Sequence, residues 1–266
     1  YALVTSRTQN AYFNSLKRYI LFNTIYKKIN GFVVISEKLK TLVSKYKDEN
    51  SKIIKIPILI DSRKYKLEHN TVKERYSEKI IFHAGTLTDY KDGILSVFES
   101  VCKYINEKDQ SVKFILSNKK TYPEIFQKIM SIINKYNVVG NVIFHDHLNK
   151  DELEKYLKKC SCTIINKPLN RKNSYNFSTK LGEYMSFGVP VICTIIGEAS
   201  NFTIDNQNCF IISENNKKEI FSKLDTVFSN PQASIAIGNE GYNTARENFD
   251  YNIYAEKLIN FFKDLN

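Results

Sequence analysis

The residues best suited to chemistry lie in one stretch of the chain, residues 173–192. A polar loop there ends at Ser178 or Thr179, either of which is a suitable N-cap for the helix that the following residues predict. The free N–H groups at the start of such a helix, with Lys180 beside them, attract phosphate. Glu183 follows within one turn, where its carboxylate could bind ribose hydroxyls. The alternative interpretation is an ordinary surface pair, because Lys180 and Glu183 are spaced i, i+3.

Short β-branched runs alternate with helical patterns along almost the whole sequence. Eight of these runs are apolar on both faces, as buried parallel strands are. The predicted strands are Phe32–Ile35, Ile53–Ile56, Ile80–Ala84, Val112–Leu116, Val142–Phe144, Cys162–Ile165, Val189–Cys193 and Cys209–Ile212. This alternation predicts an α/β fold with a Rossmann-like, doubly wound parallel sheet. Ligands of such folds bind beyond the carboxyl ends of the strands, so we expect the site in the loops after the third to seventh strands.

The composition bounds the class of protein. The 266 residues are 42% hydrophobic and 25% charged, which is typical of a globular chain, and no apolar run approaches the ~18–20 residues of a membrane span. The five cysteines are an odd number without a CxxC pair, which favours buried free thiols in a reducing compartment. Cys160 and Cys162 lack a second ligand pair at zinc spacing, so we expect no metal site.

Positive charge is concentrated at the start of the chain. Residues 1–60 carry eleven Lys and Arg against three Asp and Glu, a net +8, whereas the whole chain carries +11. This bias indicates an anionic partner, which could be nucleic acid, an anionic membrane face or a phosphorylated ligand. The alternative is that the lysines simply form a solvated face. The segment 15–29 mixes aromatic residues with lysines. It could lie on an anionic membrane leaflet or pack against its own domain.

A family resemblance rests on the stretch described first. The pattern S/T-x-K-x-x-E-Y-M-x-x-G-x-P-V-I, from Ser178 to Ile192, resembles the donor-site signature of retaining GT-B glycosyltransferases of family 4 (glycosyl transferases group 1). Weaker motifs occur in the order of that family. Gly31–Ser36 resembles the last strand of its N-terminal domain, Lys55–Asp61 its interdomain link, and Ile81–Gly93 the first loop of its donor domain.

The resemblance implies three parts of the chain. Residues 1–60 would be a remnant of the N-terminal acceptor domain, residues 61–249 the nucleotide-sugar donor-binding domain, and residues 250–266 a helix crossing back toward the N-terminal domain. It implies an enzyme of the hexosyltransferase type, which moves a sugar, with retention, from a nucleotide-diphosphate sugar to a polysaccharide, glycolipid or glycan acceptor. No metal or further cofactor would be required. The implied setting is cytoplasmic, peripheral at the inner face of the membrane, without a nucleic-acid partner.

The resemblance also assigns roles to individual residues. Lys91 and Glu183 would be catalytic, Lys91 by stabilising the leaving phosphate and Glu183 by holding the ribose. The residues expected to bind the donor are Gly85, Thr86, Lys91, His147, Asn176, Phe177, Ser178, Thr179, Lys180 and Glu183. The residues from Asn176 to Thr179 would act through backbone N–H groups, and His147 would lie along the base. His145 and His147 could equally be surface residues.

Two alternatives remain open. Tyr175 stands where the family often has the first of two glutamates, and Thr86 stands where an arginine is common. The missing first glutamate leaves open a donor-domain relic that binds nucleotide without catalysis. The basic N-terminal third leaves open a nucleic-acid-binding module that binds any duplex or single strand in a salt-dependent way.

Overall fold

The strands form two separate parallel sheets in the computed structural model, which describes residues 11–64, 66–67 and 71–265. Strands β1 (Gly31–Val34) and β2 (Lys52–Lys55) form a two-stranded sheet. The second sheet contains β3 (Ile80–His83), β4 (Lys113–Leu116), β5 (Val142–Phe144), β6 (Cys162–Ile165), β7 (Val191–Thr194) and β8 (Phe210–Ile212). Its spatial order is β5-β4-β3-β6-β7-β8, and every neighbouring pair is parallel.

The direction in which the strands are added reverses between β3 and β6. From β3 the chain continues outward to β4 and β5, and it then returns to β6 on the other side of β3. The carboxyl ends of the two central strands of such a sheet border an open crevice, where ligands bind. The predicted Rossmann-like, doubly wound sheet is therefore confirmed. Its crevice lies between the loop after β3, which begins at Ala84, and the loop after β6, which begins at Asn166.

Helices cover both faces of the larger sheet. The α-helices in the described residues are α1 (Ala11–Ile20), α2 (Glu37–Ser44), α3 (Val72–Tyr76), α4 (Asp89–Asp92), α5 (Ile94–Glu107), α6 (Pro123–Lys135), α7 (Lys150–Lys159), α8 (Thr179–Ser186), α9 (Lys217–Ser229), α10 (Pro231–Phe249) and α11 (Tyr251–Lys263). Helices α5, α6 and α9 share one buried cluster with Ile81, whereas α7, α8 and α10 share another with Ile80 and Phe82. Successive strand residues point to opposite faces, so the two clusters lie on opposite sides of the sheet.

The last helix packs against the first strand. A Cβ atom on Gly31 would lie 2.5 Å from a methyl carbon of Leu265 and 2.9 Å from the Phe261 ring, so a larger residue there would require these side chains to shift. The extended segment after β2 is bonded to the start of α11, because the Ile60 N–H donates to the Phe249 carbonyl at 2.8 Å and the Tyr251 N–H donates to the Ile60 carbonyl at 3.0 Å. No helix in the described part of the chain is long and apolar enough to cross a bilayer.

The predicted strands agree closely with the observed ones. All eight are present in the described residues, and their bounds agree within one residue except at the start of β7, which was expected at Val189 and is observed at Val191. Gly188 has a left-handed φ of 63°, and Pro190 has no N–H to donate, so the hydrogen-bonded ladder begins only after the proline. The five cysteines are buried free thiols, as expected.

Candidate functional site

Helix α8 begins at the crevice with a buried, unpaired hydroxyl. Ser178 occupies the N-cap position, but its side chain caps no N–H group, and Leu181 N–H bonds instead to the Ser178 carbonyl at 3.0 Å. Ser178 is 3% exposed, and its Oγ has no hydrogen-bond partner in the described part of the structure. The first N–H groups of any helix also lack intrahelical partners. The start of α8 therefore presents hydrogen-bonding groups that a ligand could satisfy.

Lys180 lies across the turn that follows β3. Its ammonium would be 3.1 Å from a Cβ atom on Gly85, and it is 3.8 Å from Oδ1 of Asp92. Gly85 has a φ of 108°, which side chains disfavour, and its N–H donates to Ser117 Oγ at 2.9 Å. Burial lowers the pKa of Lys180, and nearby Lys91 lowers it further, while Asp92 opposes the shift. The alternative interpretation, a surface ion pair of Lys180 with Glu183, is not observed within the described residues. The carboxylate that Lys180 contacts there is Asp92 on α4.

A second lysine, Lys167, follows β6 on the other side of the crevice. Its N–H donates to Thr194 Oγ1 at 2.9 Å, and that hydroxyl donates to the Lys167 carbonyl at 3.0 Å. Burial lowers the pKa of Lys167, and Lys180 and Lys91 lower it further, while Asp92 opposes them. Sequence reasoning missed this residue. The available signal was its place two residues beyond a predicted strand, in a loop where a site was expected.

Short helix α4 carries Lys91 and Asp92 and ends at a glycine that the crevice requires. Gly93 is left-handed with a φ of 52°, and a Cβ atom there would lie 2.2 Å from Oδ1 of Asn215 and 2.4 Å from Nδ2 of Asn166. Asn166 Nδ2 donates to the Gly93 carbonyl at 3.0 Å, which ties the end of α4 to the loop after β6. Lys91 is exposed, with its ammonium 5.5 Å from the centre of the Tyr90 ring.

Glu183 lies beside the segment that follows β2. Together with Thr179 and Ser186 it lines a cavity of about 320 Å³, whose opposite wall is Ile58–Asp61. Although Glu183 is exposed as a whole, desolvation by the surrounding protein raises the pKa of its carboxyl, and Glu154 adds to this while Lys180 opposes it. Carboxylate and hydroxyl groups around one cavity are suited to binding a polyhydroxylated ligand.

The loop before α8 is held by residues that are distant in sequence. Ser36 Oγ donates to the Tyr175 carbonyl at 2.9 Å, and the Glu198 N–H donates to the Asn176 carbonyl at 3.3 Å. The buried Glu198 carboxylate accepts the Glu37 N–H at 2.7 Å and lies 3.1 Å from the Lys55 ammonium. Hydrogen bonds and an ion pair thus connect the start of α2 and the end of β2 to the segments on either side of α8.

The remaining expected residues lie at different distances from the crevice. The Phe177 side chain belongs to the core, where its ring packs edge-on against Phe202 and Phe249, so only its backbone can face a ligand. Thr86 is exposed in the turn after Gly85. His147 is exposed in the loop after β5, two strands away from β3, and no described contact joins it to the lysines. Nε2 of His145 forms a hydrogen bond with the Tyr156 hydroxyl at 3.0 Å.

No metal-binding arrangement is evident among the residues that the structure describes. None of the His, Cys, Asp and Glu side chains there form a group of three or more that could hold an ion. The described groups of the crevice are instead cationic side chains, an unpaired hydroxyl and a helix start, which suit an anion.

The fold and the crevice define a Rossmann-like domain of the kind found in GT-B glycosyltransferases. Residues 65–244 match the family described as "Glycosyl transferases group 1", and the chain belongs to this family. The curated poly(ribitol-phosphate) α-N-acetylglucosaminyltransferase of Staphylococcus aureus (strain COL) is 23% identical over 268 aligned positions, covering 94% of this chain and 47% of the relative. The chain therefore spans about half the length of that relative.

Two solved structures share the fold. A glycosyltransferase from Rickettsia africae has a TM-score of 0.74 and 20% identity, covering 95% of this chain and 67% of that one. A mutant of TarM from S. aureus, solved with fondaparinux, α-GlcNAc-glycerol and UDP, has a TM-score of 0.71 and 21% identity, covering 97% of this chain and 48% of that one. At these identities the likeness supports the fold and not the ligand.

Proposed function

We propose that the chain binds the nucleotide-diphosphate part of a sugar donor in the crevice between β3 and β6, and that the whole protein transfers the sugar. The observation that carries this proposal is the start of α8, where the buried Ser178 hydroxyl is unpaired and the desolvated Lys180 lies against the Gly85 turn. A phosphate there would accept hydrogen bonds from the helix start and from Lys180, while Gly85 leaves space for its approach.

The same groups would assist the reaction. When the bond between sugar and phosphate breaks, negative charge develops on the leaving diphosphate. Fixed N–H groups and ammonium groups stabilise such charge without needing a metal. Lys91 and Lys180 are the cations proposed for this role. The cavity beside Glu183 would receive the ribose, because its carboxylate can accept hydrogen bonds from two neighbouring hydroxyls.

The acceptor and stereochemistry belong to the same proposal. The S. aureus relative is named for transfer of α-N-acetylglucosamine to poly(ribitol-phosphate), and the related TarM structure contains UDP. By analogy we expect a UDP-sugar donor, a phosphate-containing glycan or lipid-linked acceptor, and retention of configuration. These expectations concern the whole protein, and transfer must be assayed with a protein that has the length of its relatives.

Association with an anionic membrane surface is a further part of the proposal. Leu16, Tyr19 and Ile20 on α1 are 46%, 67% and 45% exposed, and Lys17 and Arg18 lie among them. A helix with exposed apolar and basic side chains binds anionic leaflets. Cosedimentation with vesicles containing anionic lipid, compared with neutral vesicles, tests this part. Replacement of Tyr19 and Ile20 by serine should weaken binding to the anionic vesicles, because these side chains supply exposed apolar surface.

Calorimetric titration tests nucleotide binding with the chain as it is. UDP, GDP and ADP are titrated into wild type, K180M and Glu183→Ala, with the exposed Lys128→Met on α6 as a matched control. We expect one nucleotide to bind, K180M to weaken it at least about tenfold through the loss of a charge-assisted bond, and the control to bind normally. If no nucleotide binds, or if K180M and Glu183→Ala bind as wild type does, the assignment of the site is wrong.

A further inference from the structure

Lys167 has no role in the family pattern described above, yet the sheet places it at the crevice. The parallel register pairs Phe82 of β3 with Thr163 of β6. The two strands end at His83 and Ile165, so the Gly85 turn and Lys167 follow the ends of neighbouring strands. Asn166, directly before Lys167, donates from Nδ2 to the Gly93 carbonyl at 3.0 Å, which brings the Lys167 backbone beside the end of α4, the helix that carries Asp92.

The backbone around Lys167 is held in place by three contacts. Thr194 Oγ1 bonds to both its N–H and its carbonyl, at 2.9 and 3.0 Å. The next residue is Pro168, which restricts Lys167 to an extended conformation, and the Pro168 carbonyl accepts Nδ2 of Asn173 at 2.7 Å. A lysine on a fixed backbone loses less entropy when it binds a ligand than one on a mobile loop.

The charges at the crevice are unbalanced. Asp92 opposes the lowered pKa values of both half-buried lysines, and Glu183 also opposes that of Lys180. The two oxygens of Asp92 contact the Lys180 ammonium at 3.8 Å and Thr88 Oγ1 at 3.1 Å. Within the described residues the ammonium groups of Lys167 and Lys91 form no ion pair or hydrogen bond. A half-buried ammonium without a partner destabilises the fold, unlike the ordinary paired lysine.

We infer that Lys167 is a third phosphate-binding cation of the site, beside Lys91 and Lys180, and that it makes the site select a diphosphate over a monophosphate. This inference rests on the proposed function. One phosphoryl group at the start of α8 is already covered by Lys180, Ser178 and the helix N–H groups. A second phosphoryl group, extending across the crevice toward β6, would meet Lys167.

The inference predicts two changes of opposite direction in K167M. Removing the unpaired charge should raise the midpoint of thermal unfolding of the ligand-free chain, whereas a purely structural lysine would lower it on removal. The affinity for UDP should fall by about tenfold to a hundredfold, the effect of one charge-assisted hydrogen bond. The affinity for UMP should change less than about threefold, because a single phosphate does not reach Lys167.

Calorimetric titration of UDP and UMP into wild type, K167M, K167R and the control Lys128→Met tests these predictions. K167R keeps the charge and should retain most of the preference for UDP, and the control should keep all of it. If wild type binds neither nucleotide, the proposed function fails and this inference with it. If wild type binds UDP but K167M binds it equally well, or loses UDP and UMP affinity to the same extent, only the role of Lys167 is refuted.

Discussion

Arg75 offers a quantitative test of how α8 is held in position. It is 2% exposed in α3, and its guanidinium donates to the carbonyls of Leu157 at 2.9 Å, Cys160 at 3.0 Å and Phe187. Leu157 and Cys160 lie at the end of α7, and Phe187 follows α8 directly. One buried cation thus binds the carboxyl ends of two helices, where carbonyls lack intrahelical partners.

The expected cost of Arg75→Met follows from these contacts. Three hydrogen bonds from a charged donor contribute about 1.5 kcal/mol each, or roughly 4–5 kcal/mol together. Burial lowers the pKa of Arg75, so removing its charge recovers part of this energy. We expect a net loss of about 3 kcal/mol in the free energy of unfolding, which corresponds to a fall of roughly 6–12 °C in the unfolding midpoint for a chain of this size.

Thermal unfolding followed by circular dichroism measures this change. The exposed Arg246→Met on α10 is the control and should shift the midpoint by no more than about 1–2 °C. Arg75→Lys should fall between wild type and Arg75→Met, because an ammonium cannot reproduce the fork of the guanidinium. A midpoint for Arg75→Met within about 2 °C of wild type would refute the reasoning, since the three carbonyls would then have other partners.

Three further predictions concern the crevice. Because burial lowers the pKa of Lys180, the unfolded chain binds the proton more tightly, and stability should rise as pH increases from that lowered pKa to the ordinary lysine value. UDP affinity, measured by calorimetric titration at increasing pH, should fall as Lys180 loses its proton. Because the pKa of Glu183 is raised, its ionised form destabilises the fold, so E183Q should raise the unfolding midpoint near pH 7 while weakening nucleotide binding. G93A should reduce both stability and UDP affinity, since its Cβ would collide with Asn166 and Asn215. Scanning calorimetry measures the stability and calorimetric titration the affinity; values equal to those of wild type would show that the prediction is wrong.

The parts of this protein that sequence predicts are those specified locally. The strands can be predicted because each is a short β-branched run that is buried on both faces. The start of α8 can be predicted because a polar loop, a hydroxyl N-cap and an apolar helix face follow one another within a few residues. The cap itself differs from the prediction. Ser178 has the position of an N-cap, yet its hydroxyl is buried without a partner, which only the packing around it reveals.

The parts that sequence does not predict depend on contacts between distant elements. Lys180 contacts Asp92, which is 88 residues earlier, because β3 and β6 are neighbours in the sheet although β4 and β5 separate them in the chain. The hydrogen bond from Ser36, at the start of α2, to Tyr175, in the loop before α8, connects residues 139 positions apart in the chain. No local pattern distinguishes Glu198 from a surface glutamate, because its partners Glu37 on α2 and Lys55 on β2 are more than 140 residues earlier in the chain.

The features that favour the crevice as the proposed binding site are those that carry an energetic penalty in the fold. Core packing would favour apolar residues or paired charges at the ends of β3 and β6. Lys167 and Lys180 are nevertheless desolvated near Asp92, and the buried Ser178 hydroxyl has no partner among the described residues. Each of these groups would gain from a single anionic ligand: the ammonium groups a counter-charge, and the hydroxyl an acceptor. Their convergence on one crevice at the switch point is therefore a stronger argument for phosphate binding than the presence of any one lysine, since isolated surface lysines carry no such energetic penalty.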